Sequence, residues 1–182
     1  MSWDLNNSPP TLQLGPAFTN NTSYNSNVTL VPSLNCFLKG TKIQTVNGYV
    51  AIEDLKDGDE LVTTRGTTMI KKKMYRKVSG DVAENMPYRI PKNHFCTNMP
   101  FEDTYLSPLH CIFANGDWMC MCQTDFKQEK MGDVLYYYHI LTTDYSSDFI
   151  FCNGIVSESL KPTQENYELY QECIDEAVGE KL

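Results

Sequence analysis

Asn-Gly and Asp-Gly dipeptides punctuate this chain at Asn47-Gly48, Asp57-Gly58, Asn115-Gly116 and Asn153-Gly154, each flanked by β-prone runs. These dipeptides tolerate the positive φ angles of tight hairpin turns, so the flanking runs read as short antiparallel strands. Residues 42–46 turn into 49–52, residues 111–113 turn into 118–122, and 148–152 turn into 155–156. Further strands are predicted at 60–64, 67–78, 88–90, 104–106 and 134–141, with one helical turn at 53–56. Frequent turns, short strands and a shortage of long helical periods predict an all-β domain.

The two ends depart from that pattern. Residues 1–35 are poor in charge and rich in Asn, Pro, Ser and Thr, with no helical period, and read as an extended arm. Near the other end, Leu169, Tyr170, Cys173, Ile174, Ala177 and Val178 fall on one helical face. Thr163 suits the N-cap, Gly179 the stop, and Glu165 and Glu168 the positive end of the helix dipole. The expected organisation is an arm over 1–35, a β domain over 36–160 and an amphipathic α-helix over 161–182. Both ends are candidate grips for protein partners.

Composition narrows the function classes. The 182 residues carry 41 % apolar side chains and suffice for one domain with an ordinary core. A formal charge of −8 argues against nucleic acid as the main partner, because phosphate binding needs a basic surface. The basic run Lys71-Lys72-Lys73, with Arg76 and Lys77, reads as a solvated strand edge. The first residues have neither a basic region nor an apolar stretch of a secretory signal, and no run reaches membrane-spanning length. The 7 cysteines are odd in number and lack a paired CxxC, which fits thiols in a reducing intracellular compartment better than a zinc site. No metal and no cofactor is expected.

Cys36 supplies a nucleophile, and Ser107-Pro108-Leu109-His110 follows with a hydroxyl and an imidazole. Taken alone, each has a structural reading: a small buried thiol, a Ser-Pro turn and a core histidine. Their surroundings carry a resemblance. Cys36-Phe37-x-x-Gly40-Thr41-x-Ile43-x-Thr45, then Gly48, then Ile52-Glu53-Asp54-Leu55-x-x-Gly58-Asp59, resembles the first block of Hint domains, the self-processing modules of inteins and hedgehog C-terminal regions. Pro87-Tyr88-Arg89-Ile90, Asp103 and Leu106-Ser107-Pro108-x-His110 resemble the second block, in the Ser-Pro-x-His form of the bacterial-type branch. Tyr138-His139-Ile140, Phe149-Ile150 and Asn153-Gly154-Ile155-Val156-x-Glu158-Ser159 resemble the last.

The resemblance implies a flat, horseshoe-like all-β fold with Cys36 at a central cleft. It also implies an N-to-S acyl shift, in which the thiolate attacks the carbonyl of Asn35 and opens the Asn35–Cys36 bond to cleavage. His110 is the matched proton donor for the leaving nitrogen, and Ser107 a candidate donor to the oxyanion. Asp103 and Asp144 are candidate accessory groups, whereas His94 and His139 match no block role and read as structural. Inteins end in His-Asn, whose carboxamide cyclises to cut the chain; Glu158-Ser159 stands there instead, so no splicing is expected. The alternative is a catalytically idle Hint-fold module that grips partners through 1–35 and 161–182. Resembling proteins occur in bacteria and in large DNA viruses, where such a module would be a structural, capsid-associated virion component.

Overall fold

A computed structural model describes residues 35–143 and 149–159. Residues 1–34 of the arm expected over 1–35, the helix expected over 161–182 and Asp144 lie outside the described residues. Twelve short strands run along the described chain: β1 (Phe37–Leu38), β2 (Lys42–Thr45), β3 (Gly48–Ala51), β4 (Glu60–Thr63), β5 (Gly66–Ser79), β6 (Tyr88–Ile90), β7 (Thr104–Leu106), β8 (Cys111–Ala114), β9 (Asp117–Cys120), β10 (Val134–Thr142), β11 (Phe149–Cys152) and β12 (Ile155–Glu158). Short 3-10 turns stand at Ala83–Asn85 and Met121–Gln123, and the described residues contain no α-helix. The expected turn after Ile52 is present as a turn but not as a helix. No helix among the described residues is long and apolar enough to cross a membrane.

The strands pair antiparallel in the order β6-β7-β1-β10-β5-β4-β2-β11-β12-β8-β9, with β3 paired to β2 off this path. The result is a curled, horseshoe-like sheet, nearly all β. Strand β5 joins its two halves: residues 66–69 pair with β4, and residues from Ile70 onward pair with β10. Its basic run faces the acidic loop after Ile52, where Asp57 receives the Lys73 N–H at 2.7 Å and the Lys72 ammonium at 3.2 Å. The hairpin dipeptides act as their chemistry dictates. Asn115 (φ 55°) and Gly116 (φ 89°) close β8 onto β9, and Asn153 (φ 47°) and Gly154 (φ 88°) close β11 onto β12.

The cysteine expectation is corrected by the first of these hairpins. Cys111 faces Cys120 across β8 and β9, and the two are joined in a disulfide with Cα atoms 4.0 Å apart. The backbone bond from Met121 N–H to the His110 carbonyl makes 111–120 the adjacent non-hydrogen-bonded pair, where side chains lie closest. Cys36 and Cys152 are buried thiols, and Cys96 and Cys122 exposed ones. With that bridge formed, the cysteine count no longer argues for a reducing compartment.

Alternation along β1 sends its neighbours to opposite faces. Phe37 enters the main core with Ile43, Leu61, Leu106, Ile112 and Ile150. Cys36 and Leu38 enter a second cluster with Met74, Leu135, Tyr137 and Leu141. The first strand is thus packed on both sides, which fixes the backbone at Cys36.

Asn153 ties the halves together at the last hairpin. Its carboxamide oxygen accepts the Lys42 N–H at 2.8 Å and its nitrogen donates to Thr104 Oγ1 at 2.9 Å, with Asn153 and Thr104 both buried. Asn is also among the residues that tolerate its positive φ. Asn153→Ala strands buried polar groups and strains the turn, so it should lower unfolding free energy by about 3 kcal/mol in a urea titration. A change near zero would refute this tie.

Candidate active site

Two strand registers assemble the site. Strand β1 lies between β7 and β10, with Phe37 opposite both Leu106 and Tyr138. Continuing each register by one residue puts Cys36 beside Ser107 on one flank and His139 on the other. The hydrogen bonds follow that placement. The Cys36 N–H donates to Ser107 Oγ at 2.8 Å, and the Ser107 N–H donates to the Cys36 carbonyl at 3.1 Å. Pro108 holds Ser107 extended, which keeps it in line with the strand it continues. On the other flank Cys36 Sγ lies 2.7 Å from His139 Nε2.

His110 completes the cluster from the turn that follows Ser107. Its N–H donates to the Ser107 carbonyl at 3.0 Å, and its ring packs edge-on against Phe37 with centroids 4.3 Å apart. Ring atom Nε2 lies 2.5 Å from Ser157 Oγ, whereas Nδ1 is buried and, apart from a loose hydrogen bond with the Cys36 backbone, has no partner. Cys36, Ser107, His110, His139 and Ser157 are all buried.

Burial sets the protonation states. It pushes the His110 pKa down to about 3, opposed by a hydrogen bond with the Cys36 backbone. Burial also drives His139 well below the ordinary imidazole range, helped by the positive charge of Arg76. Both rings are therefore neutral at physiological pH. Neutral His139 can take the thiol proton from Cys36, since the thiolate rather than the thiol is the nucleophile. Tyr137 is raised by burial and then by the Cys36 charge, and its hydroxyl donates to the Asn85 carbonyl at 2.7 Å. That phenol stays protonated.

Of the residues singled out in the sequence, Cys36, Ser107 and His110 meet at this point. The Ser107 hydroxyl accepts the Cys36 N–H. Asp103 pairs with Arg89 and the Lys92 backbone. Its carboxylate accepts from Arg89 Nη2 at 2.8 Å and Nε at 2.9 Å and from the Lys92 N–H at 2.8 Å, tying the β6–β7 turn. The Lys92 N–H, opposed by desolvation and aided by Arg89, holds it below the ordinary carboxylate range. His94 packs between Phe95 and Phe126, as a structural histidine would.

His139, read from sequence as structural, touches the Cys36 thiol. Ser157 was not singled out at all. The available signal for His139 was register: with Phe37 facing Tyr138, the next pair is Cys36 and His139. For Ser157 the signal was a polar residue in an otherwise buried strand.

Residues 35–164 match the family model of the Hint domain, and the chain belongs to that family. Its fold is also that of solved intein structures. A bacterial intein-like domain from Clostridium thermocellum is similar at TM-score 0.54 and 15 % identity, covering 70 % of this chain and 100 % of that one. A variant of the Ssp DnaB mini-intein is similar at TM-score 0.53 and 8 % identity, covering 74 % and 99 %. A substituted gp41-1 intein is similar at 0.51 and 13 %, covering 69 % and 100 %. No curated protein matches the chain significantly.

Proposed function

We propose that this chain is an autoprocessing domain that performs an N-to-S acyl shift at the Asn35–Cys36 bond and stops short of splicing. Membership of the Hint family supports self-processing in general. One observation carries the specific reading: the Cys36 thiol contacts His139 while the Cys36 nitrogen is held by Ser107, so both atoms that must change bonds are already gripped.

The Cys36 thiol gives its proton to His139 Nε2, and the thiolate attacks the Asn35 carbonyl carbon. The C–N bond of the tetrahedral intermediate then breaks. Its nitrogen, held by Ser107 and flanked by His110, takes up a proton and becomes the Cys36 α-amine. The product is a thioester between the Asn35 carbonyl and Cys36 Sγ, and the net proton movement is from sulfur to nitrogen. Water or an added thiol resolves the thioester. Glu158 and Ser159 offer no carboxamide to cyclise, which supports cleavage without splicing. The Ser107-Pro108-Leu109-His110 motif supports assignment to the bacterial-type branch of the family.

The test is thiol-induced cleavage. Purified protein treated with dithiothreitol should release the fragment beginning at Cys36, and Cys36→Ala should release none. Equal behaviour of the two proteins would refute the proposal. A second reading draws on the full burial of Cys36, at 0 % exposure. A sealed thiol suits an idle Hint-fold module that grips partners through 1–35 and 161–182. Deleting 1–30 would then abolish partner binding, whereas an autoprocessing domain loses only its leaving segment.

A further inference from the structure

Strand β12 is buried along its whole length, yet half of it is polar: Ile155, Val156, Ser157, Glu158. Packing alone favours apolar residues in such a strand, and a buried hydroxyl or carboxyl is costly unless it is bonded. Both polar side chains reach the same place. Ser157 Oγ meets His110 Nε2 at 2.5 Å, and Glu158 Oε1 accepts the N–H of Cys111, the next residue, at 2.8 Å. The strand thus holds the ring of His110 and the backbone that follows it.

A neutral imidazole has one N–H, and the partner of one nitrogen decides where it sits. The Ser157 hydroxyl has the Cys152 sulfur, the Glu158 carbonyl at 3.4 Å and His110 Nε2 at 2.5 Å within range. The 2.5 Å contact takes the hydroxyl proton, so Nε2 accepts and the ring proton lies on Nδ1. With Nε2 occupied, Nδ1 is the nitrogen left for the loose hydrogen bond with the Cys36 backbone, and it has no other partner.

We propose that Ser157 is a positioning residue that fixes His110 in the Nδ1–H tautomer and keeps that N–H directed at the Cys36 backbone. This rests on the reading of Cys36 as the nucleophile only for its catalytic consequence; the tautomer itself does not depend on cleavage. The place where inteins carry out their C-terminal chemistry would here serve the N-terminal reaction, through the strand that precedes Ser159.

Nitrogen NMR on histidine-labelled full chain tests it, alongside cleavage rates. In the wild type at neutral pH, His110 should show the Nδ1–H tautomer. In Ser157→Ala the ring should become a mixture of tautomers and cleavage should slow roughly 10- to 100-fold, while Ser157→Thr, which keeps the hydroxyl, restores both. An Nε2–H tautomer in the wild type overturns the proposal without any variant having to fold. So does an unchanged tautomer in Ser157→Ala. A wild type that never cleaves but loses its Nδ1–H in Ser157→Ala would refute the autoprocessing reading and leave this role standing.

Discussion

His139→Gln is expected to slow opening of the Asn35–Cys36 bond by roughly 100- to 10,000-fold, the usual worth of a positioned general base. Gln keeps much of the ring's volume and can still face Cys36 Sγ, which lies 2.7 Å from Nε2 in the native protein. It cannot take a proton. The fold should therefore survive and the thiol should stay in place, so the loss is in rate. The pH dependence has a definite sign. The neutral ring is the active form, and burial with the Arg76 charge holds His139 well below the ordinary imidazole range. The rate should accordingly persist below pH about 6.5, where an ordinary histidine would already be protonated. Wild-type rates in the Gln variant would remove His139 from the mechanism.

Glu158→Gln is expected to abolish a large pH dependence of stability. Burial pushes the Glu158 carboxyl up from 4.5 to about 7, opposed by the Cys111 N–H. A carboxyl with a raised folded-state pKa favours the fold while it is protonated in both states. As pH rises through the unfolded value the unfolded chain ionises first, and the advantage is lost by the time the folded group ionises. Between pH 4.5 and 7 the wild type should therefore lose on the order of 3 kcal/mol relative to the Gln variant, with the Gln protein becoming the more stable at high pH. His110 and His139 act in the opposite direction, since both resist charging and cost stability as pH falls. They are common to the two proteins and cancel in the comparison. Urea titrations of both proteins across this range decide the matter, and a constant difference would show that Glu158 does not titrate upon unfolding.

The strands were legible because their signals are local. Asn115-Gly116 and Asn153-Gly154 each announce a two-residue turn, and the alternation on either side fixes which residues face the core. The same turn contained an unread signal. Cys111 and Cys120 are equidistant from Asn115-Gly116, so hairpin closure alone makes them opposite. The site was legible in Cys36, Ser107 and His110 because a sequence motif carries all of them. His139 is 103 residues from Cys36 and Ser157 is 47 from His110, and only the pairing of strands brings each pair together. Asp103 stood near the right motif but is held by Arg89 and Lys92, a matter of local salt-bridge geometry that spacing does not reveal. Ser107 was found by motif, but its contact with the Cys36 N–H depends on the register of β7 against β1.

Hydroxylamine treatment followed by intact-mass measurement tests the central claim most directly. Hydroxylamine intercepts a thioester at its carbonyl. If Cys36 attacks Asn35, the wild type should yield residues 1–35 bearing a C-terminal hydroxamate together with a fragment that begins at Cys36, and Cys36→Ala should yield neither. An unchanged intact mass for the wild type, or a fragment ending at any residue other than Asn35, would contradict the account.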